Sequence, residues 1–352
     1  MQKVRVEEAV GMVLGHDLTK IIPGQSKRAA FKKGHIIQPE DIPQLLDMGK
    51  EHLYVLDLGE DLVHEDEAAQ RIARAAVEKP RPDGSPDGVG FVISSPSEGK
   101  VNITTAHRGL LQVRAELVDA INSIDDVVLA TLGNNLPVEK GELVAGSRVI
   151  PLAIPKAAII KVEAICAQAG PALDLLPYRT HRVGIVTTGN EVFSGRIQDG
   201  FGPAIKKKLA QYPAEILGQE IVPDDAQRIR EAIFRFRQQG ATLILVTGGM
   251  SVDPDDVTPS AIRSTGAEVV TYGVPVLPGA MLLVAYLEGL PLVGVPGCVM
   301  YDKTTAFDLV LPRLFAGKKI TKPELVKLGY RGLCRKCEVC VWPRCSFGQG
   351  EA

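Results

Sequence analysis

Cys334, Cys337, Cys340 and Cys345 bring four of the six cysteines together in one short segment, spaced C-x2-C-x2-C-x4-C. Clustered thiolates repel one another unless a cation holds them, so the spacing points to a metal. Four thiolates satisfy either tetrahedral Zn2+ or an iron–sulfur cluster. Lys318, Lys319, Lys322, Lys327, Arg331, Arg335, Lys336 and Arg344 surround them. That positive charge would offset the thiolates or dock an acidic partner, and an unmetallated tail is the plain alternative. A second set combines small residues with carboxylates: Thr188-Gly189-Asn190-Glu191, Gly195 to Asp199, Asp224-Asp225, and Gly248-Gly249-Met250-Ser251 followed by Asp253, Asp255, Asp256 and Thr258. Pro278-Gly279 and Pro296-Gly297-Cys298 complete it. Small residues let a backbone approach a ligand closely, and N–H groups in such turns suit phosphate oxygens. The carboxylates suit a hard cation such as Mg2+, which bridges to phosphate.

These segments punctuate an alternation of strand and helix that starts at Arg182. VGIVTT and ATLILVT are continuous apolar runs, as in strands buried on both faces of a parallel sheet. In DDAQRIREAIFRFRQQG, residues Ile229, Ala232, Ile233 and Phe236 recur at helical spacing. PAIKKKLAQY, Pro259–Ser264 and Tyr301–Phe315 are further helices, and MLLVAYL with PLVGVP forms a hairpin-like pair. The fold class is α/β: a doubly wound, mostly parallel sheet preceded by a smaller mixed, strand-rich N-terminal region. In such sheets ligands bind beyond the carboxyl ends of the strands, which is where every one of the Gly- and Asp-bearing segments falls. Individually they have plainer readings. Asp224 or Asp225 would cap the next helix, Asp253 to Asp256 would make a solvated turn, and Cys298 would be a small buried residue.

The chain has 352 residues, too many for one ordinary domain. Lys plus Arg total 40 against 42 for Asp plus Glu, a balance that argues against a general nucleic-acid or membrane-surface binder. No apolar run is long enough to span a bilayer, and MQKVRVEEAV is too charged for a signal-peptide core, so a cytoplasmic protein is expected. Upstream, Asp41–Met48 predicts a small helix, Leu53–Val55 a strand, and EDEAAQRIARAAVEK a helix with its charges matched to its dipole. Residues 91–155 read as strands with one helical interruption near Leu110–Asn122.

TTGNEV, GRIQDG, PDD, TGGMSVDPDDVT, the later PG, and VPG followed by a helix ending in LVLPRL resemble the molybdopterin-binding domain of molybdenum-cofactor biosynthesis. Their order and spacing are most similar to the molybdopterin molybdotransferase family, over residues 182–317. The resemblance implies Mg2+-dependent insertion of molybdate into adenylylated molybdopterin with release of AMP. It implies Glu191, Asp225 and Asp256 as catalytic carboxylates, and Thr188, Gly189, Asp199, Gly248, Gly249, Ser251, Pro278, Gly279, Pro296 and Gly297 as pterin-binding positions. Molybdopterin and molybdate are then the partners, with other cofactor-assembly proteins and a homo-oligomer as further expectations. The chain also departs from the family. Its N-terminal S-A-M-D-G-Y-A motif is absent, Phe201 replaces an Asn, Asp253 replaces a Gly, and the two late loops read Pro278-Gly279-Ala280-Met281 and Pro296-Gly297-Cys298-Val299. These departures leave open a non-catalytic carrier or sensor, and D-D-V-T also suits a nucleotide-processing enzyme of the competence-damage type. C-x2-C-x2-C is similar to the three-ligand run of bacterial ferredoxins, although the fourth spacing is x4. The expected division is an α/β segment (1–62), a linker helix with a strand-rich domain (63–180), the molybdopterin-binding domain (181–318), and a basic, Cys-rich, metal-binding tail (319–352).

Overall fold

The apolar runs beyond Arg182 become the strands of one six-stranded sheet. The computed structural model describes residues 2–22, 26–55, 61–80, 86–87, 90–251 and 256–350. The strands are β1 (His181–Thr188), β2 (Ala214–Val222), β3 (Leu243–Thr247), β4 (Glu268–Tyr272), β5 (Leu283–Leu287) and β6 (Leu290–Val295). Their order is β2-β1-β3-β6-β5-β4. β2, β1, β3 and β6 run parallel, and β5 and β4 add antiparallel at the edge. Among the helices that accompany them are α1 (Phe201–Leu209), α2 (Ala226–Gln238), α3 (Thr258–Ser264) and α4 (Ala306–Phe315).

Strand periodicity divides the core in two. Leu243 and Leu245 of β3 join α1 and α4 in one apolar cluster, whereas Ile244 and Val246 join α2 and α3 in another. Side chains two apart share a face, so a strand that is apolar at every position feeds helices on both sides. Helix α2 buries Ile229, Ala232, Ile233 and Phe236, the stripe its spacing predicts. Fully burying a side chain such as Ile233 contributes roughly 1.5–3 kcal/mol. Asp225 caps its start, and Gly240, at φ +81°, follows its end.

Two expected helices begin later than the sequence suggests. Gly109–Val113 is a strand paired with Leu136–Val138, and the helix covers only Ala115–Asn122. Residues 301–304 lie outside α4, because Thr305 and Asp308 form a capping box that fixes its first turn at Ala306. Lys156–Ala169 is a further helix, one whose sequence carries no single apolar stripe.

The chain forms two compact units, one comprising Met1–His107, Val113–Leu132 and Lys140–Asp174, the other Arg108–Gln112, Gly133–Glu139 and Leu175–Ala352. The boundary expected at 62/63 therefore falls inside the first unit, and the segment expected as a separate tail belongs to the second. Phe347 is buried in the α1/α4 cluster, and Cys334, Trp342 and Cys345 pack against it. Among the described residues, no helix is long and apolar enough to cross a membrane.

In the first unit, strands Val127–Thr131, Leu143–Val149, Lys100–Thr105 and Phe91–Ile93 form an antiparallel sheet. Helix Glu65–Val77 packs on it, with the Ser147 hydroxyl donating to Ala69 O. His64 caps that helix, its Nδ1 accepting from Asp66 N and lying 2.6 Å from Lys33 Nζ, while Nε2 meets Gly15 O. The arrangement requires a neutral ring. Burial, with the Lys33 ammonium adding, pushes the His64 pKa below its ordinary value, partly offset by the Gly15 bond. The unfolded chain therefore takes up the proton first, and stability contributed by His64 is present above about pH 6.5 and lost as pH falls below it. Denaturation midpoints between pH 7.5 and 5 are expected to fall more for the wild-type chain than for His64→Gln. Parallel curves would remove His64 as the titrating group.

Candidate functional site at the carboxyl edge of the sheet

The loops after β1, β2, β3 and β6 open at one edge of the sheet. Because β5 runs antiparallel, with Leu283 opposite Gly294, the loop before it opens there too. Residues Gly248–Ser251, Asp256, Gly279–Met281, Pro296–Cys298 and Phe201 line a cleft of about 400 Å3. It thus brings together Gly248, Gly249, Ser251, Asp256, Gly279, Pro296 and Gly297.

The glycine turn is fixed from behind. Gly248 has φ +85°, and a Cβ there would stand 2.1 Å from Thr188 O; Gly249 has φ +51°. Thr258 Oγ1 donates to Gly248 O at 2.9 Å and lies 3.4 Å from Thr188 Oγ1. The Thr247 hydroxyl donates to Thr187 Oγ1, which also receives Gln219 Nε2 at 2.9 Å. Thr187, Thr188, Thr247 and Thr258 are all buried, so the floor beneath the turn is a layer of bonded hydroxyls. From the far edge of the sheet, Tyr272 donates its hydroxyl to Met250 O and Ser251 O, both at 3.1 Å. Burial pushes the Tyr272 pKa up, with Asp256 adding, which keeps that proton in place. At the opposite wall, Pro278 O accepts from Ala306 N, joining the Pro278-Gly279 loop to the start of α4. Burial, with Asp302 adding, likewise pushes the Cys298 thiol up, so Cys298 lines the cleft as a protonated side chain.

Other sequence-derived positions do not line the cleft. Thr188 lies under its floor. Asp199 accepts from Phe201 N, Gly202 N and, at 2.6 Å, Gln219 Nε2, so it caps α1. Asp225 accepts from Arg228 N at 2.8 Å and caps α2. Asp224 accepts from Asn190 N, and Asn190 Oδ1 accepts in return from Asp224 N. That pair ties the loop after β1, including Gly189 and Glu191, to the loop after β2. Glu191 sits in the one-turn helix Asn190–Phe193, its backbone carbonyl accepting from Arg196 N and Ile197 N. Asp253 and Asp255 lie outside the described residues. Among those described, no group of three or more His, Cys, Asp or Glu is placed to hold one metal ion. Glu191, Asp225 and Asp256 therefore do not form a ready Mg2+ site. Asp225→Ala is expected to lower stability by about 1 kcal/mol, and Asp225→Ser to restore it, because either residue type caps a helix. Urea denaturation separates that role from chemistry: a catalytic Asp225 would leave the Ser variant stable and inactive.

Residues 184–316 match the family described as "Probable molybdopterin binding domain". Residues 3–57, at the other end of the chain, match a domain of unknown function, DUF8806. The molybdopterin molybdenumtransferase of Synechococcus elongatus is 29% identical over 194 residues, which are 52% of this chain and 45% of that protein. A CinA-like protein of Mycobacterium avium is 37% identical over 90 residues, 25% of this chain and 21% of that one. The chain thus spans under half the length of these curated relatives. The solved structure of MoaB from Thermus thermophilus, described as a molybdopterin biosynthesis enzyme, aligns at 25% identity and a TM-score of 0.32, covering 39% of this chain and 98% of that one.

Beyond residues 184–316, the cysteine segment returns to the sheet domain. Leu277 N donates to Gly332 O, and Cys334 N donates to Leu277 O, next to the Pro278-Gly279 loop. Lys336 bonds Asp302 at 2.9 Å, and that bond, with the charge of Asp302, pushes the Lys336 pKa up. Lys303 Nζ donates to Glu338 O, and Thr304 Oγ1 lies 3.1 Å from Cys340 Sγ.

Proposed function

We propose that the chain binds a molybdopterin in the edge cleft and serves molybdenum-cofactor assembly as a molybdate-inserting transferase. The observation that carries this reading is the cleft itself. It lies at the carboxyl edge of a sheet whose sequence matches the molybdopterin-binding family, and its lining is the Gly248–Ser251 turn with the two Pro-Gly loops. The Gly248-Gly249 turn lets main chain approach a phosphate without side-chain obstruction, and the Ser251 hydroxyl is available to donate to its oxygens. Asp256 is the acid of the three proposed catalytic carboxylates that lines the cleft, and it accepts a proton from, or orients, an attacking hydroxyl or water. Magnesium would neutralise phosphate charge in such a reaction. Since the carboxylates do not converge on one ion, no residue here is assigned as its ligand. Glu191 and Asp225 act as loop and helix supports in this scheme.

A second reading, a non-catalytic carrier, is favoured by the same placement: a single described carboxylate, Asp256, lines the cleft. One experiment separates the two. Purified full-length chain is mixed with adenylylated molybdopterin and molybdate, with bound pterin and released AMP both measured. Binding with AMP release that Asp256→Asn abolishes supports the transferase. Saturable binding without release supports the carrier, and no binding overturns both.

A further inference from the structure

The cysteine segment poses a packing problem that the cleft does not explain. Residues 331–350 contain no helix or strand, yet they are seated on the sheet domain by Phe347 and by backbone bonds to Leu277. Irregular segments of that length within a compact unit are uncommon unless they serve a function. Cys334, Cys337, Cys340 and Cys345 all line one cavity, of about 210 Å3, against residues 301–304.

Four thiolates suit one tetrahedral Zn2+ or a polynuclear iron–sulfur cluster. Here all four cysteines line one cavity. Among the described residues no group of three or more His, Cys, Asp or Glu is placed to hold one metal ion. The thiolates of a cluster ligate different iron atoms around an inorganic sulfide core, so they need not meet at one point. The lining suits an anionic cluster. Lys303, Arg335 and Lys336 bring positive charge against one carboxylate, Asp302, which Lys336 pairs, Thr304 brings a hydroxyl within reach of Cys340 Sγ, and Trp342 and Phe347 bring an apolar wall. Hydrogen bonds to sulfur and partial exclusion of water are the levers by which proteins hold and tune such clusters.

We propose that Cys334, Cys337, Cys340 and Cys345 hold an iron–sulfur cluster in this cavity. It assembles from ferrous and ferric iron with sulfide without net electron transfer, and the four thiol protons leave to solvent. The cluster stands beside the cleft in sequence and in space: Gly297 and Cys298 line the cleft, and Tyr301 to Thr304 line the cavity. The proposal is independent of the reaction assigned to the cleft.

The test uses the full chain, reconstituted anaerobically with iron and sulfide and freed of unbound metal. Iron and acid-labile sulfide are expected in equal amounts, with broad visible absorption that dithionite bleaches. Cys337 and Cys340 are exposed, so Cys337→Ser/Cys340→Ser is expected to keep its far-ultraviolet circular dichroism and lose the iron to background. Cys166→Ser, which changes a cysteine of the other unit, is expected to retain it in full. Wild-type chain that takes up no iron overturns the proposal. So does one Zn2+ bound without sulfide in preference to iron, or a double variant that keeps its cluster.

Discussion

Gly248→Ala is expected to lose both stability and ligand binding, and to lose far more than Gly266→Ala. Both glycines have positive φ, +85° and +83°, but a Cβ on Gly266 meets nothing within 4 Å, whereas on Gly248 it meets Thr188 O at 2.1 Å. The Gly266 variant therefore carries backbone strain alone, about 1–2 kcal/mol. The Gly248 variant adds a clash with main chain that has little freedom to move, since Thr188 ends a strand paired on both sides. Overpacking adds about 1–3 kcal/mol, or else the turn shifts away from its place in the cleft. Urea denaturation gives the first quantity. Titration with molybdopterin is expected to show at least tenfold weaker binding for Gly248→Ala and none of that weakening for Gly266→Ala. Equal behaviour of the two variants would mean that close approach at the turn is unimportant.

Lys208→Met is expected to be the most damaging single change on the α1/α4 face of the sheet. Lys208 Nζ donates to both carboxylate oxygens of Asp308 at 2.8 Å and to Lys303 O at 3.0 Å, and both side chains are about nine-tenths buried. Asp308 also accepts from Thr305 N in the capping box that starts α4. Removing the lysine leaves a buried carboxylate without its counter-charge, a loss of about 3–5 kcal/mol. Lys208→Met/Asp308→Asn is expected to recover part of it, because the uncompensated charge disappears while an acceptor remains for the cap. A double variant no more stable than Lys208→Met would place the loss in packing instead of charge.

What the sequence made legible was periodic. β1, β3 and α2 stand where their apolar spacing puts them, because strands buried on both faces and a helix with one apolar stripe leave distinct patterns. Lys156–Ala169 left no such pattern. Its apolar residues surround the helix, and Ile160 is half exposed while Ile159 is buried. Leu110 and Leu111 read as the start of a helix, yet both are buried in a strand whose partner lies some 25 residues on, a tertiary pairing that local spacing does not carry. At the site, Gly248-Gly249 alone is a weak signal, since tight strand exits are common, and it gained weight from the other small residues and acids at the same edge, several of which line the cleft with it. The carboxylates were not legible, since Asp199 and Asp225 are as well suited to capping a helix as to catalysis, and only geometry separates the two. Gln219 and Tyr272 carry no sequence signal, and Asn190 stands in a candidate segment without a pattern that shows its partner. Each acts by reaching from its own element to a neighbouring strand or loop.

The threonine layer under the glycine turn bears on how the cleft meets a ligand. A hydroxyl has one proton, and Thr258 commits its proton to Gly248 O while Thr247 commits its own to Thr187. Their dipoles are thus set before anything arrives. A site whose polar groups are already aligned need not reorient them on binding, and the free energy that solvent would spend on that reorganisation is saved in advance. Valine has nearly the shape of threonine, so a Thr258→Val cleft would keep its outline and lose its alignment: same mould, unpolarised.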